Sequence, residues 1–363
     1  MDPLRVLLIC PDPGIPLHGP SGASVHLRGI AQALVRRGLK VRLAVPRDHD
    51  HRGRHDPDLQ GVEVVLRPPR TWPRGVQTLG AWADTRALLE AALADGWRPD
   101  WIWERHTDRG AAGQRAAARL GVPRLIELNA PIARERAWLA ARPPSRRIEA
   151  RERRSLRAAT RVIAVSAWLA RWASTQMGCD PARVRWVPNG IAPGPAGDGQ
   201  AVRRALGLSG RVVGFLGSVK PWHGLDRLPA ILDRLGTGWT ALILGTGPAP
   251  IPVHPRIQPL GRLDDAAVAD HVAALDVGLV PSSINAPPWF CPLKILQYRA
   301  QGVPVVASDT ESHRQLIGDG GEVLASDDPD AWAQAIVRQG RRRPPPKIRT
   351  WDQVLDEALK DLC

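Results

Sequence analysis

The sequence contains no long hydrophobic run. No apolar stretch approaches the roughly 18 residues that a membrane-spanning helix needs. The N-terminal MDPLRVLLIC has too short an apolar segment, and no small-residue cleavage site, for a signal peptide. We therefore expect neither a transmembrane protein nor one secreted by the usual route, and we expect the protein in the cytoplasm.

Cysteine is scarce and dispersed. The four residues are Cys10, Cys179, Cys291 and Cys363, with no CxxC pair and no Cys/His spacing typical of a structural zinc site. In a cytoplasmic protein such thiols are reduced by default. The cysteines therefore predict inert thiols rather than metal ligands, including Cys291, which has no evident base beside it.

Lysine is also rare. The net charge is +14, and arginine supplies most of the 50 basic residues. The lysines are Lys40, Lys220, Lys294, Lys347 and Lys360. This bias reflects base composition more than function. A basic chain can bind phosphates, acidic lipid or nucleic acid. The basic runs lack the interleaved aromatics of a nucleic-acid platform, so we expect no nucleic-acid partner.

One basic run has two interpretations. RRIEARERRSLR (146–157) mixes Glu and Arg at helical spacing, which favours a solvated, salt-bridged helix. The alternative is a patch that contacts a membrane surface or an acidic acceptor. Peripheral membrane contact therefore remains open at this stage.

A polar loop contains the one set of residues that resembles a metal site. The set comprises Asp48, His49, Asp50, His51, His55 and Asp56. Exposed loops rich in His and Asp are common without a metal, so we expect no functional metal here.

Strand and helix patterns alternate along the chain and restart once. RVLLIC (5–10), a Gly/Pro loop, an amphipathic helix ending near Gly38 and KVRLAV (40–45) form one unit of a parallel sheet. NGIAPGPAGDGQ (189–200) lacks periodicity and is typical of a linker. RVVGFLGS (211–218) then starts a second alternating series.

The length of 363 residues and this restart predict an α/β protein with two doubly wound domains. The predicted units are residues 1–190, 191–345 and a C-terminal helical segment, 346–363. Further strands are expected at 61–67, 101–105, 123–129, 161–165, 240–244, 256–260, 276–280 and 303–307, and helices at 264–273, 292–301 and 350–362. The carboxyl ends of the two sheets would face a cleft, where open α/β sheets bind ligands.

Several blocks, in this order, resemble family 4 glycosyltransferases. They are GPSGASVHLRGIAQALVRRGLKV, WERHTDRGAAGQRAAARLGVPRLIELNAP, VIAVSAWLARW, VRWVPNGI, VVGFLGSVKPWHGLDRL and PLKILQYRAQGVPVVAS. The resemblance implies a GT-B fold: two Rossmann-like domains facing a cleft, with a C-terminal helix crossing back to the first. It also implies a retaining transferase that uses a nucleotide-sugar as substrate, usually without metal and with no separate cofactor.

The predicted donor diphosphate site combines glycine turns with helix N-termini, where free N–H groups attract anions. Gly22 follows Gly19 and Ser21 at the start of the first helix, and Pro292 opens a later helix. The resemblance adds basic groups in the turn GSVKPWHG (217–224). The predicted diphosphate-binding residues are Gly22, Lys220, His223, Pro292, Leu293 and Lys294. The alternative is a set of ordinary turns and caps with solvated lysines.

Gln297 occupies a position where the resemblance implies a carboxylate that binds the donor ribose. The family's other carboxylate, eight residues earlier, corresponds to Trp289. The Gln297 amide can still accept from one hydroxyl and donate to another. What is lost is charge assistance, because charged hydrogen bonds contribute about 1.5–3 kcal/mol against about 0.5–1.5 for neutral ones. We predict a weakened ribose site rather than an abolished one.

Polar residues near the carboxyl ends of first-domain strands should face the cleft. By the resemblance, the predicted catalytic residues are Glu104, Asn129 and Lys220, and the acceptor-side residues are Ser21, His26 and Glu127. Glu104 and Glu127 have an equal claim to structural roles, as does the neighbouring His106. The predicted base-binding residues are Gly245, Arg262 and Leu263, with Gly247 beside them.

The sequence thus predicts a metal-independent, retaining glycosyltransferase with a UDP-sugar as the first candidate donor and a GDP-sugar as the second. The acceptor is an unidentified small molecule, lipid or glycan. Three alternatives remain open: a GT-B pseudoenzyme that binds a nucleotide or a partner, a sugar-nucleotide epimerase, and a basic module that binds a membrane surface.

Overall fold

The computed structural model describes residues 2–19, 21–48, 59–73, 76–192, 194–283, 286–339 and 344–362. Within them the chain forms two parallel sheets of seven and six strands, each associated with helices. The predicted architecture of two Rossmann-like domains is confirmed. Of the loop rich in His and Asp, only Asp48 lies inside the described residues, where it contacts His18 at 2.7 Å.

The first sheet has the order β3-β2-β1-β4-β5-β6-β7, with every pairing parallel. Its strands are β1 Arg5–Ile9, β2 Lys40–Val45, β3 Val62–Leu66, β4 Trp101–Arg105, β5 Arg124–Leu128, β6 Arg161–Ala164 and β7 Val184–Trp186. The helices between them are α1 Gly22–Arg36, α2 Gln77–Ala92, α3 Ala112–Leu120, α4 Ile132–Leu139, α5 Arg146–Arg157 and α6 Ala167–Thr175. The interior strands are apolar runs because helices cover both faces of such a sheet.

The second sheet has the order β10-β9-β8-β11-β12-β13 and is also parallel. Its strands are β8 Arg211–Leu216, β9 Trp239–Leu244, β10 Ile257–Gly261, β11 Val277–Val280, β12 Val305–Ser308 and β13 Gly321–Leu324. Its helices are α7 Gly199–Ala205, α8 Leu228–Leu235, α9 Asp265–Ala273, α10 Leu293–Ala300, α11 Glu311–Ile317 and α12 Pro329–Arg338. The strand order reverses at β8, so the open crevice of this sheet lies beside the turn at 217–224.

The last helix, α13 Trp351–Leu359, returns to the first domain and packs on α1. Thr350 and Gln353 cap its first turn reciprocally. Trp351 is 1% exposed and belongs to the first-domain core. A Cβ at Gly29 of α1 would lie only 2.2 Å from its Nε1, so the contact depends on a glycine. The predicted return of the C-terminal helix is confirmed.

Three local features differ from the sequence-based expectation. The short strands β7 and β13 were not predicted. Helix α7 begins at Gly199, inside the predicted linker, because Asp198 caps its N-terminus and the helix packs on α9. Pro292 caps α10 from outside instead of occupying its first turn.

The basic run at 146–157 forms α5, as expected, but without the expected salt bridges. Its arginines make no ion pair within the part of the chain that the structure describes. Glu152 is buried, and its carboxylate accepts from Ile132 N and Ala133 N at 2.7 and 3.0 Å, capping α4. None of the helices in the described part of the chain has the length and apolar character to span a membrane.

Candidate active site

The N-termini of α1 and α10 face each other across the cleft. A Cβ at Gly22, the first residue of α1, would lie 3.6 Å from Leu293 Cδ1 at the start of α10. Leu293 packs against the cores of both domains. Ser21 caps α1 by accepting from Ser24 N at 3.2 Å. The structure therefore brings the two predicted anion-binding helix starts together.

Lys294 supplies a buried cation at this point. Its Nζ is shielded from solvent, has no hydrogen-bond partner among the described residues, and lies 3.7 Å from the ring centroid of Phe215. Gly217 is adjacent, since a Cβ there would lie 3.6 Å from the same Nζ. Burial lowers the pKa of Lys294 to about 7. An unpaired buried ammonium is unfavourable, and an anion beside it would offset that cost.

The turn after β8 carries one further cation and a neutral histidine. Lys220 is half-buried, and its Nζ lies 6.0 Å from the ring centroid of Trp222. The Nδ1 of His223 accepts from Lys220 N at 3.3 Å. Burial, and then the charge of Lys294, lowers the pKa of His223 to about 3. Without a bound anion His223 is thus a neutral ring that shapes the turn, and its contact with the diphosphate stays a prediction.

The predicted base-binding loops pack by backbone contact. A Cβ at Gly245, whose φ is 141°, would lie 2.3 Å from Gly217 O, and one at Gly247 would lie 1.9 Å from Val219 O. Glycine is required at both places because the loops approach so closely. The structure brings these loops to the turn that holds Lys220, and Gly245 also bridges to Gly261, directly before Arg262 and Leu263.

Gln297 lies one turn after Lys294 on α10, on the same side of the helix. It is half-buried and has no hydrogen-bond partner within the described part of the chain. Trp289 is 6% exposed and packs between Trp168 and Phe290, with ring centroids 5.5 and 6.1 Å away. At the position where the resemblance implies a carboxylate, Trp289 therefore makes aromatic packing contacts instead.

A buried polar group lies on the first-domain side and centres on Glu127. Its carboxylate accepts from Trp103 Nε1 at 3.1 Å, Arg105 Nη1 at 3.0 Å and Asn129 Nδ2 at 2.5 Å. His26 Nε2 lies 2.9 Å away. Burial alone would raise the pKa of Glu127, but these neighbours outweigh it and lower the pKa to about 2. Glu127 is thus a fixed anion that positions Asn129 and His26.

Glu104 does not join this group. Its carboxylate accepts from Arg124 Nε at 2.7 Å, and a Cβ at Gly113 would lie 2.2 Å from its Oε2. Successive side chains of a strand point to opposite faces. Trp103 and Arg105 therefore face Glu127, whereas Glu104 faces α3. The geometry gives Glu104 a structural ion pair rather than the expected position in the cleft.

His106 is likewise structural. Its Nε2 lies 3.1 Å from Glu152 Oε1, and the side chains of both residues are almost fully buried. The contact ties the end of β4 to the residue that caps α4. It does not bring the imidazole to the Glu127 group.

Sequence reasoning missed a set of aromatic residues that bridges the domains. Trp138 of α4 meets Trp222 of the second domain, with ring centroids 4.9 Å apart, and Phe290 lies 6.5 Å beyond Trp222. Trp168 meets Trp289 in a second bridge. The available signal was tryptophan abundance, with 14 in the chain, but their pairing depends on tertiary structure.

Glu135 was also missed. It lies in the first turn of α4 and is partly buried, with Trp289, Arg105 and Asp12 among its neighbours. Burial raises its pKa, while the charge of Arg105 partly offsets the effect. A carboxyl group with a raised pKa at a cleft is a candidate acid or base.

The two halves of the chain match two glycosyltransferase family models. Residues 20–194 match Glycosyltransferase Family 4, and residues 210–339 match Glycosyl transferases group 1. The chain belongs to the family 4 glycosyltransferases. The order of the two family models along the chain agrees with the order of the two domains in the structure.

Similar proteins support the same assignment. A D-inositol 3-phosphate glycosyltransferase of Acidothermus cellulolyticus is 29% identical over 309 residues, covering 80% of this chain and 66% of the relative, just under two thirds of its length. HepE of Anabaena, solved in complex with UDP-glucose, aligns with a TM-score of 0.70 at 18% identity, over 98% of this chain and 93% of HepE. Sucrose-phosphate synthase of Thermosynechococcus elongatus aligns with a TM-score of 0.73 at 18% identity, over 99% and 94%. At these identities the structural matches show the GT-B fold.

No group of three or more His, Cys, Asp or Glu residues suited to a metal occurs among the residues that the structure describes. The described arrangement instead offers cations and helix N-termini. Metal independence remains a prediction, as does the absence of a separate cofactor.

Proposed function

We propose that this family 4 glycosyltransferase is a retaining enzyme that transfers a sugar from a UDP-sugar. The observation that carries the proposal is the buried Nζ of Lys294, which has no hydrogen-bond partner among the residues that the structure describes. It lies at the start of α10, opposite the start of α1. A diphosphate placed there would meet one buried cation and two helix N-termini. Such a site suits a nucleotide diphosphate better than a neutral ligand.

The remaining donor contacts follow from the position of Lys294. Lys220 would approach the diphosphate from the turn after β8, and Gln297 would contact the ribose from the same side of α10. The loops at 245–247 and 261–263 would border the base through their backbone groups. Uracil is the first choice because UDP and UDP-glucose are bound in the solved complexes of the Anabaena protein.

In the proposed mechanism the chain acts mainly by electrostatic stabilisation. Negative charge grows on the diphosphate as the glycosidic bond breaks, and Lys294 and Lys220 would offset it. The acceptor hydroxyl would attack from the side of the departing diphosphate, whose oxygen takes the hydroxyl proton. The new bond then keeps the anomeric configuration of the donor. This step needs no carboxylate at Gln297 and no metal.

We place the acceptor beside the group formed by Glu127, Asn129 and His26. Because Glu127 is fully engaged by its neighbours, Asn129 is the polar group we expect to contact an acceptor hydroxyl. A polyol related to inositol phosphate is the first acceptor to test, since the Acidothermus relative is named for that substrate. Lipid and glycan acceptors remain further candidates.

The test is turnover with a stereochemical readout. The protein is incubated with UDP-glucose or UDP-N-acetylglucosamine and with myo-inositol, its phosphates or simple glycans, and UDP release and product are measured. We expect acceptor-dependent UDP release and an equatorial anomeric proton in the NMR spectrum of the product, as in the α-linked donor. An inverted product would exclude the retaining mechanism. Tight UDP-sugar binding with no turnover across acceptors would instead favour the pseudoenzyme.

Glu135 favours one second candidate, an epimerase that acts on the UDP-sugar itself. Epimerisation needs acid/base side chains, and Glu135 is a partly buried carboxyl with a raised pKa beside the cleft. The same incubation without acceptor distinguishes the two reactions. Conversion of the UDP-sugar to an isomer of equal mass, lost in Glu135→Gln, would establish the epimerase.

A further inference from the structure

A cavity of about 260 Å³ lies at the hinge between the domains. Its walls come from the segments after β6 and β7, from α10 and α11, and from the chain that leads into α13. Its volume is near the roughly 300 Å³ at the small end of ligand pockets. None of Lys220, Lys294 and Gln297 lines it, so the cavity is separate from the proposed donor site.

The lining of this cavity is cationic. It contains Arg299, Lys347 and Arg349 but no aspartate or glutamate. Lys347 is exposed and has no ion-pair partner within the described part of the chain. Arg299 pairs with the exposed Asp319 at 3.4 Å and donates from Nη1 to Leu316 O at 2.9 Å. Arg349 pairs with Glu357, which does not line the cavity. A positive cavity without carboxylates favours an anionic solute.

Asn189 adds an unsatisfied acceptor to the same wall. It is 6% exposed, and its Nδ2 donates to Cys291 O at 3.0 Å, which fixes the orientation of the amide. Its Oδ1 is buried and has no hydrogen-bond partner among the described residues. Buried acceptors are normally paired, and a hydroxyl donor would satisfy this one. The hydroxyls of Ser166 and Ser312 lie in the same lining.

We propose that the hinge cavity is a second binding site, for a small phosphorylated polyol such as a hexose phosphate. Its phosphate would pair with Lys347 and Arg349, and a hydroxyl would donate to Asn189. Both domains and the segment before α13 line the cavity, so the ligand would favour one relative arrangement of the two domains. The proposal concerns binding alone and does not depend on the transferase reaction.

The test is isothermal titration of the full chain with glucose 6-phosphate, glucose and inorganic phosphate. We expect saturable binding of glucose 6-phosphate, stronger than that of either other probe. Lys347→Ala should weaken it about tenfold, as expected for loss of one charged contact. Lys360→Ala is the matched control, because Lys360 is an exposed lysine of the same C-terminal segment outside the cavity, and it should leave the affinity unchanged.

Lys294→Ala distinguishes binding in the hinge cavity from binding at the donor site. This variant should still bind glucose 6-phosphate. The proposal is wrong if binding is lost in Lys294→Ala but kept in Lys347→Ala, because the ligand then occupies the donor site. It is also wrong if inorganic phosphate binds as tightly as glucose 6-phosphate, or if no probe binds in the millimolar range.

Discussion

The ammonium of Lys294 lies against the ring of Phe215 and not against a carboxylate, and burial lowers its pKa from 10.5 to about 7. A buried ion without a partner is destabilising unless a ligand neutralises it. Lys294 therefore lowers the stability of the unliganded fold, and we propose that its position serves donor binding. His223 and Glu127, in contrast, are already satisfied by their neighbours.

The affinity for a UDP-sugar should depend on pH through Lys294. A bound diphosphate favours the ammonium form and raises its pKa. Below pH 7 Lys294 is already protonated, so the affinity reaches its full value there. Above about pH 7 each further pH unit should weaken binding by up to about tenfold. The decrease should stop at the pKa that Lys294 has in the complex with the UDP-sugar. Calorimetry from pH 6 to 9 measures this, and Lys294→Arg, whose side chain stays charged, should flatten the profile.

Replacing Lys294 by methionine should stabilise the fold while removing donor binding. The native pKa lies below that of the unfolded chain, so protonation opposes folding at neutral pH. Removing the ammonium should raise the free energy of unfolding by about 2–4 kcal/mol at pH 7. Urea unfolding measures the gain. An unchanged or lower stability would mean that the ammonium is not as buried as described.

At the scale of elements, two helix contacts organise the site. The N-terminus of α1 faces that of α10, and α13 packs against α1 through the contact of Trp351 with Gly29. The position of α1 therefore depends on a contact with the last helix of the chain. Gly29 makes that contact possible because it leaves room for the indole.

Gly29→Ala should disrupt the contact between α1 and α13. Alanine favours a helix by up to about 1 kcal/mol over glycine, but overpacking in a core costs about 1–3 kcal/mol. We expect net destabilisation in urea unfolding. The control is a double-mutant cycle with Trp351→Leu, whose smaller side chain leaves room for the methyl group. If Gly29→Ala is equally destabilising in both backgrounds, Trp351 is not the cause.

At the scale of the whole molecule, much of the fold could be predicted from the sequence. Interior strands such as β1 are short apolar runs between turn residues, and these predict a parallel sheet. The edge strands β7 and β13 were missed because three or four partly exposed residues carry no such pattern. The site was harder to predict. Which of Glu104 and Glu127 faces α1 depends on strand register, and the isolation of Lys294 depends on packing between loops.

The most direct test of the central claim is calorimetric titration of UDP, GDP and ADP into the native protein, Lys294→Ala and Gln297→Glu. We predict that UDP binds and that Lys294→Ala lowers the affinity for UDP at least tenfold. Gln297→Glu should raise that affinity by about 5–30-fold, through a charged contact to the ribose. If no nucleotide binds in the millimolar range, or if Lys294→Ala binds UDP as well as the native protein, the donor site is not where we place it.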